Sequence, residues 1–212
     1  MMNHATIDQL RALKLPGFAL ELQEQAARPG THALSFEERL ALLVQREVHL
    51  REDRKRTRLL RHARLKYAQA AIEDLDTRPG RGIDRPALIG LATSGWVRRG
   101  DTILLTGPTG VGKTWLACAL AHHACREGHS SLYLRVPRLG EELKALHASG
   151  GFGRWLHTLA RTDVLVLDDW GVSVLEPSMR ADLLEIIDDR AALKATVITT
   201  QLPLEHWHAW IA

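Results

Sequence analysis

A glycine-rich segment directly after a short hydrophobic run constrains this chain more than any other feature. The segment Gly107-Pro108-Thr109-Gly110-Val111-Gly112-Lys113-Thr114 fits the pattern G-x-x-x-x-G-K-[ST] at every fixed position. The residues before it, 102–106, read TILLT, which is typical of a β-strand. A glycine-rich loop between a strand and a helix surrounds phosphate groups with backbone N–H groups. The sequence therefore predicts a strand, a phosphate-binding loop and a helix in succession, and a nucleotide as ligand.

Two side chains of this loop have predicted chemical roles. The ammonium group of Lys113 is expected near the β- and γ-phosphate oxygens, and the Thr114 hydroxyl is expected to bind Mg²⁺. The predicted cofactors are accordingly ATP and Mg²⁺. The alternative, a glycine-rich turn that binds nothing, is disfavoured because a strand precedes the loop and a helical pattern follows it.

A second apolar run ends in two acids, as a buried parallel strand does at its active-site end. Residues 164–169 read VLVLDD. We assign Asp168 to Mg²⁺, directly or through water, and Asp169 to orienting or deprotonating the attacking water. Two adjacent acids after a strand are also typical of a helix N-cap and its neighbour. The pairing with the loop at 107–114 favours the catalytic interpretation.

A third β-rich run ends in polar side chains that reach a γ-phosphate if the strand lies beside the other two. Residues 195–201 read ATVITTQ, and Thr200 or Gln201 is the candidate phosphate sensor. An acidic-ended strand, a helix and a polar-ended strand follow one another in AAA+ ATPases. The order of the segments, more than this run alone, supports the assignment.

Arginine is concentrated in one helical stretch. Residues 46–66 contain nine basic and three acidic side chains. Four of the arginines share one helix face, and the opposite face is apolar. A solvated helix face is the alternative, although such faces usually mix both signs of charge. We predict contact with duplex DNA, largely independent of base sequence, through Arg51, Arg54, Lys55, Arg58 and Arg61.

Length and composition limit the remaining possibilities. The chain has 212 residues, 45% hydrophobic and 25% charged, enough for one good core and a smaller appendage. It contains no apolar run of membrane-spanning length, and its first residues do not form a basic and then apolar leader. With two cysteines, this composition predicts a cytoplasmic protein without membrane contact.

The patterns divide the chain into a small helical N-terminal domain over 1–76, a linker over 77–84 and an ATPase core over 85–212. In the first part, Thr6-x-x-Gln9 and Ser35-x-x-Glu38 resemble capping boxes. In the last part, strands near 102–106, 131–136, 164–169 and 195–201 alternate with helices near 85–94, 112–127, 138–147, 152–160 and 177–192. This alternation predicts an α/β fold with a parallel, three-layer sheet.

Several segments together resemble a known family. They are Leu40-x-x-Leu43-Val44-x-x-Glu47, the arginine-rich helix, the loop at 107–114, Asp168-Asp169-Trp170-Gly171 and the run from Thr199 to Trp207. The combination resembles IstB, an AAA+ ATPase that assists a bacterial insertion-sequence transposase, and more distantly the DnaC helicase loaders. The resemblance implies an ATP-dependent, DNA-binding homo-oligomer that remodels target DNA and recruits or stimulates its transposase.

The chain departs from that family at three places. The family usually continues with a helix that bears an arginine for the neighbouring subunit's site, whereas this sequence ends at Ala212. Related ATPases often have asparagine where Gln201 stands and glutamate where Asp169 stands. We therefore expect a C-terminally truncated ATPase that binds ATP and whose hydrolysis is impaired to the extent that the missing segment is needed.

Two other functions are considered. A DnaC-like replicative helicase loader would share the ATPase core and carry a helicase-docking segment before it, whereas the arginine face suits direct binding to duplex DNA. A small-molecule phosphotransferase would need acceptor-binding residues, and 138–160 offers only a short helix pair. The transposition helper is preferred.

Overall fold

The computed structural model describes residues 4–78 and 85–211. Contacts divide the chain into two units, Met1–Thr57 and Arg58–Ala212. The division falls before the predicted domain boundary at 76, because Ala63, Ala70 and Ile72 are buried within the second unit. Most of the predicted linker over 77–84 lies outside the described residues, so the predicted domain division remains a prediction.

The first unit is helical. It contains α1 (His4–Ala12), α2 (Pro16–Ala27) and most of α3 (Phe36–Ala63), whose last turns belong to the second unit. The capping box at Ser35 is confirmed: Ser35 N–H donates to Glu38 Oε2 at 2.7 Å, and Glu38 N–H donates to Ser35 Oγ at 3.2 Å. The capping box predicted at Thr6 is wrong, because α1 has already begun at His4.

Close packing of two helices organises this unit. The Gly17 N–H donates to Glu47 Oε2 at 2.7 Å. A Cβ atom on Gly17 would lie 2.5 Å from Glu47 Cα, so only glycine permits this approach. The first unit therefore depends on a buried carboxylate that accepts a backbone hydrogen bond between α2 and α3.

The second unit contains a four-stranded parallel sheet in the order β1-β4-β3-β2. The strands are β1 (Thr102–Thr106), β2 (Ser131–Arg135), β3 (Val164–Trp170) and β4 (Ala195–Thr200). The helices are α4 (Arg85–Ala92), α5 (Gly95–Arg99), α6 (Lys113–Arg126), α7 (Val136–Ala148), α8 (Phe152–Arg161), α9 (Pro177–Asp188) and α10 (Trp207–Ile211). Among the described helices, none is both long and apolar enough to cross a membrane.

Strand alternation sends side chains to two apolar clusters, one on each face of the sheet. Val166 and Val197 belong to the cluster that includes α6, whereas Leu167 and Ile198 belong to the cluster formed with α7, α8 and α9. Helices thus cover both faces, as expected when the central strands are apolar throughout. The predicted α/β fold with a parallel, three-layer sheet is confirmed, and the short helix α5 is an addition to the predicted elements.

Candidate functional site

The phosphate loop connects β1 to α6 at the carboxyl edge of the sheet. Gly112 has a φ of 98° and precedes the first residue of α6, a conformation that L side chains rarely adopt. The Lys113 Nζ donates to the carbonyl oxygens of Gly107 and Pro108, each at 2.7 Å. Burial lowers the pKa of Lys113, while the charges of Asp169 and Asp168 oppose that shift. The loop therefore places the Lys113 ammonium group near the carboxylates of Asp168 and Asp169, at the N-terminus of α6.

Asp168 is fully buried and accepts hydrogen bonds from three hydroxyl groups. Its Oδ1 accepts from Thr114 at 2.7 Å and from Thr199 at 2.6 Å. Its Oδ2 accepts from the Tyr133 hydroxyl at 2.6 Å. The two predicted Mg²⁺ ligands, Thr114 and Asp168, are thus adjacent although 54 positions separate them in the sequence.

These oxygen atoms fit the requirements of Mg²⁺. The ion is usually bound through one or two carboxylates together with water and substrate phosphates. The Thr114 hydroxyl and the Asp168 carboxylate are hard oxygen donors beside the phosphate loop. The described residues contain no cluster of three or more acidic, histidine or cysteine ligands, so this pair would depend on the nucleotide's own oxygens.

Asp169 lies in a different environment from its neighbour. The β3–β4 register shifts between Leu167 and Trp170, and Asp169 has a φ of 61° within this irregularity. Its Oδ2 accepts a hydrogen bond from Arg135 Nε at 2.7 Å, at the end of β2. Its N–H donates to Thr199 Oγ1 at 3.1 Å. The pair with Arg135 raises the pKa of that arginine.

The end of β4 separates the two candidate sensor residues. The Thr200 hydroxyl is buried on the face of the sheet opposite α6, where it donates to the Trp170 carbonyl oxygen at 2.7 Å. The expectation that Thr200 faces the phosphate loop is therefore not met. Gln201 does reach the loop, because its Oε1 accepts from Thr109 Oγ1 at 2.6 Å.

Sequence reasoning missed Tyr133, Arg135 and Thr199. Each contacts Asp168 or Asp169. Tyr133 and Arg135 belong to no motif recognised in the sequence, and Thr199 lies in the recognised run at 195–201 but was assigned no role there. Alternation along a strand offers one signal, since Thr199 lies two residues after Val197 and so shares the α6 face with it. No comparable signal identifies Tyr133, because its contact depends on the pairing of β2 with β3.

A cavity of about 490 Å³ lies beside the loop and reaches Lys113. Apolar side chains from the segment before α4, from α4, β1 and α6 dominate its lining, among them Leu75, Leu88, Leu91, Leu104 and Trp115. Ligand pockets are typically concave and mostly apolar, with few polar groups. The position and lining suit the base and ribose of a nucleotide whose phosphates occupy the loop.

The predicted DNA-binding residues lie on the exposed side of α3. Arg51 pairs with Glu47 at 2.7 Å and donates to the Lys14 carbonyl oxygen at 3.2 Å. Within the described part of the chain, Arg54 and Arg58 have no carboxylate within ion-pair distance. The side chains of Lys55 and Arg61 are also exposed to solvent. The helix therefore presents several uncompensated positive charges to solvent.

Comparison with known proteins relates both units to one group. The family model described as IstB-like ATP binding protein matches residues 8–212. A Pseudomonas fluorescens protein named for ATP binding in insertion sequence IS1162 is 54% identical over 203 residues, which cover 96% of this chain and 88% of that protein. A Sinorhizobium fredii protein similarly named for an insertion sequence is 43% identical and covers 98% of this chain and 84% of its own length.

Solved structures with a similar fold come from proteins of DNA replication. The crystal structure of the DnaC helicase loader has a TM-score of 0.56 at 29% identity, covering 65% of this chain and 80% of that one. The DnaA initiator bound to AMPPCP and single-stranded DNA has a TM-score of 0.58 at 17% identity and covers 66% of this chain and 44% of that one. The second similarity concerns the fold alone.

Proposed function

Because the chain belongs to the family of IstB-like ATP binding proteins, we propose that it is an ATPase that assists the transposase of a bacterial insertion sequence. It binds ATP with Mg²⁺, contacts duplex DNA with little base specificity, and acts as a homo-oligomer. The relatives from Pseudomonas fluorescens and Sinorhizobium fredii carry names that describe ATP-binding proteins of insertion sequences.

The convergence of three distant segments on one carboxylate carries the proposal. Thr114 and Thr199 both donate to Asp168 Oδ1, and Lys113 stands at the start of the same helix as Thr114. The side chain of Lys113 now binds two carbonyl oxygens of its own loop. A phosphate group would offer the ammonium a charged acceptor in place of neutral ones, which favours nucleotide binding.

Turnover requires a change at Asp169. Bound Mg²⁺ would neutralise charge on the phosphates, with Thr114 and Asp168 as its protein ligands. Asp169 would orient the attacking water, but its carboxylate is now paired with Arg135 at 2.7 Å. This pair is partly exposed, so it opens at a modest cost in free energy. Gln201, which contacts Thr109 of the loop, would respond to the γ-phosphate.

The alternative function is helicase loading. The DnaC loader shares the fold, with a TM-score of 0.56 at 29% identity. The relatives from insertion sequences are more similar, at 54% and 43% identity over nearly the whole chain. We therefore favour the transposase over the replicative helicase as the partner.

The proposal is tested by measuring duplex DNA affinity with and without ATP and Mg²⁺, for the parent protein and for Lys113→Ala. The parent should bind DNA more tightly with nucleotide. The variant should lose about 100-fold in ATP affinity, since a charge-assisted hydrogen bond to phosphate is removed. It should keep its nucleotide-free DNA affinity. Unchanged ATP affinity in folded Lys113→Ala would mean that the loop at 107–114 is not part of the nucleotide-binding site.

A binding assay with two candidate partners distinguishes the two functions. The transposase of the same insertion sequence and the host's replicative helicase are each presented to the ATP-bound protein. Binding to the transposase alone supports the proposal. Binding to the helicase alone would make the loader function correct.

A further inference from the structure

Tyr133 contacts the candidate metal ligand from the side opposite the phosphate loop. Its hydroxyl donates to Asp168 Oδ2 at 2.6 Å, whereas Thr114 and Thr199 both donate to Oδ1. The two oxygen atoms of this carboxylate therefore have separate partners. One faces the loop, and the other is held by β2.

Strand pairing explains how this tyrosine reaches the carboxylate. Tyr133 is paired with Val166 in the parallel ladder between β2 and β3. Asp168 lies two residues beyond Val166 and so projects from the same face. The ring of Tyr133 packs against the apolar cluster that includes α6. Packing of the ring and the ladder together determine the direction of its hydroxyl group.

We propose that Tyr133 is a positioning residue for Mg²⁺ in nucleotide binding, holding Asp168 Oδ2 so that Oδ1 stays directed at Thr114. The inference rests on the proposed function, because it requires ATP and Mg²⁺ at this site. Outer partners of a metal ligand fix the orientation of that ligand, and their loss typically weakens metal binding by 10- to 100-fold. Without the Tyr133 hydroxyl, Asp168 Oδ2 loses this hydrogen bond, and the carboxylate is oriented by the two hydrogen bonds to Oδ1.

The test compares Tyr133→Phe with the parent protein. ATP binding is followed at increasing free Mg²⁺ concentration, and separately with EDTA present. The Mg²⁺ concentration at half-saturation should rise about tenfold in the variant, while the affinity for ATP in EDTA should be unchanged. The matched control is Tyr67→Phe, since Tyr67 is the chain's other tyrosine and is 42% exposed. It should behave like the parent.

Two results would overturn the inference while leaving the proposed function intact. One is an unchanged Mg²⁺ midpoint in folded Tyr133→Phe. The other is an equal loss of ATP affinity with and without EDTA, which would indicate general damage to the fold. If the parent itself shows no Mg²⁺ dependence, the proposed metal role fails and the inference fails with it.

Discussion

Two neighbouring acids, Asp168 and Asp169, have separate environments. Asp168 points to the α6 face and accepts three hydroxyl hydrogen bonds, whereas the irregular step in β3 turns Asp169 towards Arg135. A strand in regular register would have sent them to opposite faces of the sheet. The bulge instead keeps both carboxylates at the carboxyl edge.

These environments predict different consequences for removing each negative charge. Asp168→Asn should weaken Mg²⁺-dependent ATP binding by about tenfold, because a metal ligand contributes to the ground-state complex. Asp169→Asn should leave ATP affinity within about twofold and lower turnover by about 10² to 10⁴, the usual contribution of a positioned acid or base. Equilibrium binding and steady-state hydrolysis are measured for each variant.

Asp101→Asn is the matched control for these two variants. It removes a carboxylate from an exposed ion pair with Arg99 in the same unit, so binding and turnover should match those of the parent. Equal losses of ATP affinity in Asp168→Asn and Asp169→Asn would mean that the two roles are assigned incorrectly.

At the level of elements, α3 combines a buried contact with an exposed charged face. Glu47 joins α3 to α2 through the Gly17 N–H, and it also holds Arg51. Arg54 and Arg58 extend into solvent on the same helix. If Arg51 turns to a DNA phosphate, it therefore gives up its ion pair with Glu47.

Replacing Arg51, Arg54, Arg58 and Arg61 with glutamine should lower duplex affinity for every DNA sequence alike. The slope of log affinity against log salt should fall by about 0.9 for each DNA phosphate that the variant no longer neutralises. ATP binding should persist, since none of the four belongs to the phosphate loop or to the strands that carry the candidate metal ligands. Affinity is measured over a range of salt concentrations at a matched oligomeric state, which sedimentation verifies.

A control variant that loses the same number of positive charges on other elements distinguishes DNA contacts made by α3 from an effect of the protein's net charge. The control replaces four exposed arginines on other elements, Arg98, Arg99, Arg126 and Arg138. If both quadruple variants show the same reduction in affinity, net charge alone explains binding. If the α3 variant keeps the parent's affinity and salt slope, the arginine face is a solvated surface.

For the whole molecule, the distribution of tryptophan offers a selective probe of the second unit. All six tryptophans lie after residue 58, so their fluorescence reports the unit that contains the phosphate loop. The rings of Trp207 and Trp210 both contact the ring of Trp170, which lies two residues after Asp168 in β3. Unfolding of this unit is therefore visible without interference from the first unit.

ATP with Mg²⁺ should raise the fluorescence-detected Tm. A ligand at 100 times its Kd adds about 2.7 kcal/mol to the free energy of unfolding, which corresponds to about 5 to 10 °C for a unit of this size. Chelating Mg²⁺ should reduce the shift, and Lys113→Ala should show almost none. A shift of equal size in Lys113→Ala would place the nucleotide at another site.

Short-range patterns in the sequence were sufficient for much of the architecture. The loop at 107–114, the acidic end of β3, the capping box at Ser35 and the alternation of strands with helices each depend on residues close together in the chain. Local propensity and periodicity act over such distances, and the α/β fold predicted from them is confirmed. The nucleotide chemistry assigned to Lys113 and Asp168 also came from these local motifs.

Only the tertiary structure decided which distant side chains meet. The order β1-β4-β3-β2 brings Thr199 to Asp168 across 31 positions, and the pairing of β2 with β3 brings Tyr133 there across 35. The register shift in β3 places Asp169 within hydrogen-bond distance of Arg135. Side chains alternate between the two faces of the sheet along β4, so Thr200 points away from the phosphate loop. These outcomes depend on register between strands, and a change of one residue in register reverses every side chain's face. No local pattern in a single sequence specifies that register.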